Sequence, residues 1–226
     1  MENLLQRLAP NVMDKLPELA ESCGQTLVML LISGLISFIF GLIFGVLLTV
    51  TRRGGILQNL PVFTVLDKAI NVFRSIPFII LLFALIPLTR AFVGTAIGTR
   101  GAILPLIFGT VPFFSRQIES ALCELPDGLV RAAQSMGVGP LGIIVRVYLR
   151  ECIPGIVRAA TITFVSLVGL TAMAGAVGGG GLGDFAIRYG YQRNQMDVTY
   201  ASVLILLLLV SVIQALGGII IKKTTH

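Results

Sequence analysis

Polar and apolar positions along this chain fall into long blocks, not into the short alternations of a soluble domain. Three runs without a charged residue, 22–51, 159–183 and 198–221, each exceed the ~20 residues a helix needs to cross the hydrocarbon core. Two shorter charge-free runs, 75–89 and 101–115, reach that length only when flanking residues such as Asn71, Val72, Phe73 and Ile97 join them. The pattern predicts an all-α integral membrane protein of five spans, at about 26–50, 62–89, 97–115, 158–178 and 198–221. The longest break between them, 116–157, reads as a loop.

Composition agrees, with 55% hydrophobic residues, 12% charged residues and a mean hydropathy of +0.93. The net charge of +6 does not point to nucleic acid, because the basic residues gather at the ends of apolar runs. Arg52 and Arg53 close the first run, and Lys222 and Lys223 close the last, which places both exits in the cytoplasm. Five crossings then put segment 1–21 outside, the tail 222–226 inside and the loop 116–157 in the cytoplasm. Around that loop Arg116, Arg131, Arg146, Arg150 and Arg158 face Glu119, Glu124, Asp127 and Glu151, as the positive-inside rule asks. Arg90 and Arg100 would lie outside, against it. Glu2, Asp14, Glu18 and Glu21 argue against a cleavable signal peptide. Cys23, Cys123 and Cys152 are odd in number and widely spaced, and the one histidine is His226, so neither a disulfide framework nor a metal site is expected.

The loop holds the informative stretch, "LPDGLVRAAQSMGVGPLGIIVRVYLRECIPGIV". Asp127 suits the start of a short helix, where a carboxylate accepts free backbone N–H groups, and Gly137 suits the left-handed residue that stops it. Pro140 fits the first turn of a second helix, with Leu141, Ile143, Ile144, Val147 and Tyr148 as its apolar face. On this physics alone the pair is equally well read as a surface connector between spans.

The spacing also resembles the EAA loop of permease subunits in ATP-binding-cassette importers, in which Glu-Ala-Ala, three residues and Gly precede, after nine more, Ile-x-Leu-Pro. Ala132, Ala133 and Gly137 match, as does the position of Val147, Tyr148 and Leu149, whereas Arg131 stands at the usual Glu and Arg150 at the usual Pro. "QTLVML", "FRSIPFIILLFALIPLTR", "VGTAIG", "PLIFGTVPFFSRQIE", "TAMAGAVGGGGLGDFAIRYGYQR" and "IQALGG" extend the resemblance along nearly the whole chain and narrow it to the methionine-importer branch. The resemblance implies a type I importer permease in a bacterial plasma membrane, working as a homodimer. Its implied partners are two separate ATPase subunits, which carry the ATP and Mg, and an extracytoplasmic methionine-binding lipoprotein. It also implies that Asp127, Gly128, Arg131, Ala132, Ala133, Met136 and Gly137 form a coupling helix docked on the ATPase.

Other motifs fit that frame. The glycines at 178–181 with Gly183 formally contain GxGxxG, but they follow a membrane run, and no Gly-Lys-Ser/Thr occurs; they read as a tight turn. Gly41 and Gly45 form a GxxxG, read as helix packing. Asp67, Lys68 and Arg74 read as structural anchors near the second span. Beyond these, the apolar runs carry no Asp, Glu, His or Lys for a coupling proton, which counts against the alternative of a secondary carrier or passive channel for small amphipathic solutes. No carboxylate pair, Ser–His pair or metal set supports an enzyme. Met173, between Ala172, Ala174 and Gly175, is either a gate on the substrate path, with Ala172 and Gly175 beside it, or ordinary core. Arg188, Tyr189, Tyr191 and Arg193 are either a docking patch for the binding protein or a solvated loop with interfacial tyrosines.

Overall fold

The computed structural model describes residues 10–224, among which every regular element is helical. Residues 1–9 and 225–226, the outer ends of the expected segment 1–21 and tail 222–226, lie outside the described residues, and with them Glu2 and His226. In chain order the helices are α1 (Pro10–Met13), α2 (Leu16–Thr51), α3 (Leu60–Ser75), α4 (Phe78–Ala84), α5 (Ile86–Val93), α6 (Gly98–Cys123) and α7 (Asp127–Ser135). Then come α8 (Pro140–Ile143), α9 (Leu149–Glu151), α10 (Ile153–Ala174), α11 (Gly181–Phe185) and α12 (Met196–Thr224). Wide π turns at Ile144–Tyr148, Gly175–Gly179 and Ala186–Tyr191 interrupt or link the later ones.

Among the described residues, four helical stretches are long and apolar enough to cross a membrane: Leu16–Thr51, Gly98–Cys123, Ile153–Gly179 and Met196–Thr224. The stretch expected as a second span, 62–89, is divided among α3, α4 and α5. The cause lies in two prolines. Pro77 has no N–H to donate and pushes Ile76 into extended backbone (φ −83°, ψ 123°), which ends α3, while Pro87 sits in the first turn of α5. Exposed leucines such as Leu204, Leu207 and Leu208 run the length of α12, and water would not tolerate so long an apolar face. Lipid is its solvent, which makes this a multi-pass membrane protein.

The chain forms two compact units. The first comprises Met1–Gly34, Pro77–Ile107 and Phe164–Ile213. Its core joins Met29 and Leu30 of α2 to Leu82 of α4, Ala102 and Leu106 of α6, and Leu167, Val168 and Ala174 of α10. A second cluster packs Val12 and Leu19 against Leu182, Phe185 and Val198. Asn11 donates to the Asp197 carboxylate from both its backbone and its side chain (3.0–3.2 Å), and Lys15 Nζ donates to Gln195 Oε1 at 2.8 Å.

The second unit comprises Leu35–Ile76, Phe108–Thr163 and Gln214–His226. Its core joins Phe114, Ile118 and Leu122 of α6 to Val130 and Ala133 of α7, Ile143, Tyr148, Cys152 and Ala159. The GxxxG of α2 sits against α6: a Cβ on Gly41 would meet Phe114 Cδ1, and one on Gly45 would meet Ile118 Cβ, each at 2.6 Å. Close helix packing is therefore the role of that motif. Asp67 of α3 does not pair with Lys68 or Arg74. Arg116 of α6 forms an ion pair with it, donates to Asn71 Oδ1 at 3.0 Å and also pairs with Glu119 at 2.6 Å. The half-buried guanidinium thus fastens α3 to α6, the anchoring expected of Asp67 with a partner the sequence did not single out.

Candidate functional site

In the second unit, α7 is a short amphipathic rod. Its start differs from expectation: Pro126 occupies the cap position, and Asp127 is the first helical residue, with no side-chain capping bond. Its carboxylate still lies in the first turn, where the free N–H groups and the helix dipole favour an anion. The stop is as expected, with Gly137 left-handed at φ +75° and the Val138 N–H returning to the Ala133 carbonyl at 3.1 Å.

The two alanines of α7 part company. Ala133 is 3% exposed and packs with Val130 into the unit's own core, so it faces inward. Asp127, Gly128, Arg131, Ala132 and Gly137 are exposed, as are the apolar Leu129 (47%) and Met136 (74%). Leu141, expected on the apolar face of the next helix, is instead 77% exposed; Ile143 and Tyr148 are the buried members of that face. The reason is geometric: Leu141 and Ile143 share one short helix and stand two residues, about 200°, apart around its axis, so burying Ile143 turns Leu141 outward. Leu129, Met136 and Leu141 leave the loop with apolar side chains turned outward. Burial pushes the Tyr148 phenol and the Cys152 thiol above their ordinary values, and both stay neutral in the core beneath the loop.

In the first unit, α10 ends in a kink. Val177 and Gly178 leave helical backbone, and Gly178, Gly180 and Gly181 all have positive φ. Gln25 Oε1 accepts the Gly181 N–H at 2.7 Å and Thr26 Oγ1 accepts the Leu182 N–H at 2.8 Å, so α2 supplies the polar partners that the break exposes. Of the residues expected along a substrate path, Ala172 and Gly175 are packed against this turn, next to Gly183 and Gly180. Met173 points elsewhere and is 42% exposed, with Ser166 and Gly169 exposed on the same helical face. Within this chain Met173 is not core.

Also in the first unit, Tyr189 gathers cations over its ring. The Arg193 and Arg188 guanidinium carbons lie 4.8 Å and 5.0 Å from the centroid, with Lys15 Nζ at 6.0 Å. Arg188 also pairs with Asp184 at 2.7 Å, and Tyr191 is exposed. Sequence reading missed Lys15, which only the fold brings to this cluster. Among the described residues no group of three or more His, Cys, Asp or Glu is placed to hold a metal ion.

The class is that of an all-helical, multi-pass membrane protein with a short amphipathic rod packed on one unit. Residues 37–226 match the family model of the binding-protein-dependent transport system inner membrane component, and the chain belongs to that family. It is 49% identical over 202 residues to the probable D-methionine transport system permease protein MetI of Vibrio cholerae, covering 89% of this chain and 90% of that one. It is 42% identical over 217 residues to the methionine import system permease protein MetP of Bacillus subtilis, covering 96% and 97%. A solved chain of the MetNI methionine ABC transporter in an inward-facing conformation superposes with a TM-score of 0.92 at 45% identity, covering 94% of this chain and 99% of that one. An amino acid ABC transporter shares the fold at a TM-score of 0.76 and 17% identity.

Proposed function

We propose that the chain is the permease subunit of an ATP-driven methionine importer in a bacterial plasma membrane. It works as a homodimer with two separate ATPase subunits, which bind the ATP and Mg, and takes substrate from an extracytoplasmic methionine-binding lipoprotein. The observation that carries the reading is α7: a rod fixed to the unit through Val130 and Ala133 while Leu129 and Met136 face outward. The core holding Val130 and Ala133 also holds Phe114, Ile118 and Leu122 of α6 and Ala159 of α10. A push on the outer face of α7 is therefore transmitted to two membrane helices through close-packed side chains, which are nearly incompressible. The substrate is taken from the relatives, whose methionine systems match almost end to end. In this reading Arg131, Ala132 and Met136 meet the ATPase, Met173 narrows the passage, and the Tyr189 cluster with Tyr191 meets the binding protein. ATP hydrolysis then belongs to the partner, and this chain performs no chemistry.

Reconstitution in liposomes tests the reading. With the ATPase, ATP and the loaded binding protein, methionine should accumulate against its gradient, and omission of the ATPase should abolish uptake. Uptake that persists without the ATPase would establish a secondary carrier or channel instead.

A further inference from the structure

The second unit carries a charged cleft that the coupling role leaves unused. A cavity of about 240 Å³ opens between the end of α6 and the start of α10, lined by Ala121, Glu124, Leu125, Glu151, Cys152 and Arg158 among others. A smaller one of about 60 Å³ adjoins it and shares Ala121, Glu124, Gly155 and Arg158. The floor is a close helix contact, for a Cβ on Gly155 would meet the Ala121 Cβ at 3.1 Å. Glu124 and Arg158 line both cavities, Glu151 only the larger. Among the described residues, neither Glu124 nor Arg158 has an ion pair or a side-chain hydrogen bond, although Arg116, Glu119 and Asp67 nearby on α6 and α3 are fully paired. Glu124 and Arg158 on both cavities, with Glu151 as a second acid without an ion pair on the larger one, stand beside the apolar wall of Ala121, Leu125, Pro126 and Pro154, and Arg158 with a carboxylate presents the inverse of a zwitterion with an apolar tail.

We propose that this cleft binds a free α-amino acid with an apolar side chain. The Arg158 guanidinium takes the carboxylate as a planar fork, the Glu124 carboxylate takes the ammonium, and the side chain lies on the wall of Ala121, Leu125 and Pro154. At roughly 30 Å³ per water the larger cavity has space for about eight waters, the scale of methionine with its nine non-hydrogen atoms. The proposal rests on the importer reading and adds to it a place where substrate pauses beside the coupling loop. The charges are exposed, so binding is weak and sensitive to salt, as a site that must release its ligand requires.

The test is ligand-observed saturation-transfer NMR on the intact permease–ATPase complex in nanodiscs. The probes are L-methionine, its amide, which lacks the carboxylate, and 4-methylthio-2-oxobutanoate, which lacks the ammonium. The wild type should prefer methionine to each analogue by about tenfold, the worth of one charge-assisted hydrogen bond. Arg158→Gln should erase the preference over the amide and keep the preference over the keto acid. Glu124→Gln should do the reverse, so each variant's retained preference reports that the cleft is still folded. Both preferences surviving in both variants, or both vanishing in either, overturns the assignment. If reconstituted uptake of methionine succeeds while the wild type shows no preference, the cleft falls and the importer reading stands. If uptake fails while the preferences follow Arg158 and Glu124 as described, the cleft stands and the importer reading falls.

Discussion

At the scale of single residues, the two alanines of α7 show how one motif divides between fold and partner. Ala133 is packed among Val130 and its core neighbours, whereas Ala132 is exposed. Tryptophan at position 133 overfills a closed space, which typically costs about 1–3 kcal/mol; Ala133→Trp should lower the midpoint of thermal unfolding of the detergent-solubilised chain. Ala132→Trp should leave that midpoint within a degree or so, because substitutions at exposed positions typically change stability by no more than about 0.5 kcal/mol. It should instead weaken ATPase binding and the stimulation of ATP hydrolysis. Equal thermal shifts in the two variants would contradict the inward–outward division. Asp127 and Gly137 marked the ends of the rod and the spacing Ala132–Ala133–Gly137 carried the resemblance, but no single-sequence pattern says which alanine looks inward. That depends on where Phe114, Ile118 and Tyr148 arrive from elsewhere in the chain.

At the scale of elements, helices were legible wherever an apolar run outlasted the bilayer, and less so where proline or glycine intervened. The runs behind α2, α10 and α12 are uninterrupted, so length alone located them. The stretch 62–89 has the hydropathy of a span but carries Pro77 and Pro87, and local backbone restriction divides it. The glycines at 178–181 did announce a turn. What the sequence could not reveal is that Gln25 and Thr26, far away in the chain, accept its freed N–H groups. Two substitutions probe backbone conformation and crowding there. Gly178 (φ 88°, ψ 18°) lies near the left-handed helical region, where alanine costs about 1–2 kcal/mol, whereas Gly180 (φ 77°, ψ −168°) lies in a region essentially restricted to glycine. A Cβ on Gly178 meets open space, whereas one on Gly180 runs into Gln25 Oε1 at 2.6 Å. Gly180→Ala should therefore lower the unfolding midpoint more than Gly178→Ala, and adding Gln25→Ala to Gly180→Ala should recover part of the loss. If Gly178→Ala proves the more damaging of the two, the cap from α2 does not hold the turn.

At the scale of the whole molecule, the distribution of basic residues bears on which side of the membrane each loop occupies. Helix geometry is indifferent to direction, but the cell is not: Arg and Lys in short loops are retained on the cytoplasmic side. Arg52 and Arg53 follow α2, Lys222 and Lys223 end α12, and the loop around α7 carries Arg131, Arg146 and Arg150. On that rule α7 is expected inside. The turn around Tyr191 and Gln192 precedes α12 and must lie at the opposite face if α12 crosses once. In a variant with Cys23, Cys123 and Cys152 replaced by serine, a membrane-impermeant maleimide applied to intact cells should label Gln192→Cys and leave Ser135→Cys untouched until the cells are opened. Both positions are exposed, so accessibility of the side chain does not decide the outcome. Gln192 is the better outside reporter than Asn194, whose positive φ of 55° a cysteine would strain. Labelling of Ser135→Cys from outside would place α7 away from any cytoplasmic ATPase. The push on α6 and α10 would then have no source, and the coupling mechanism would fail even if the helices themselves were all where the structure puts them.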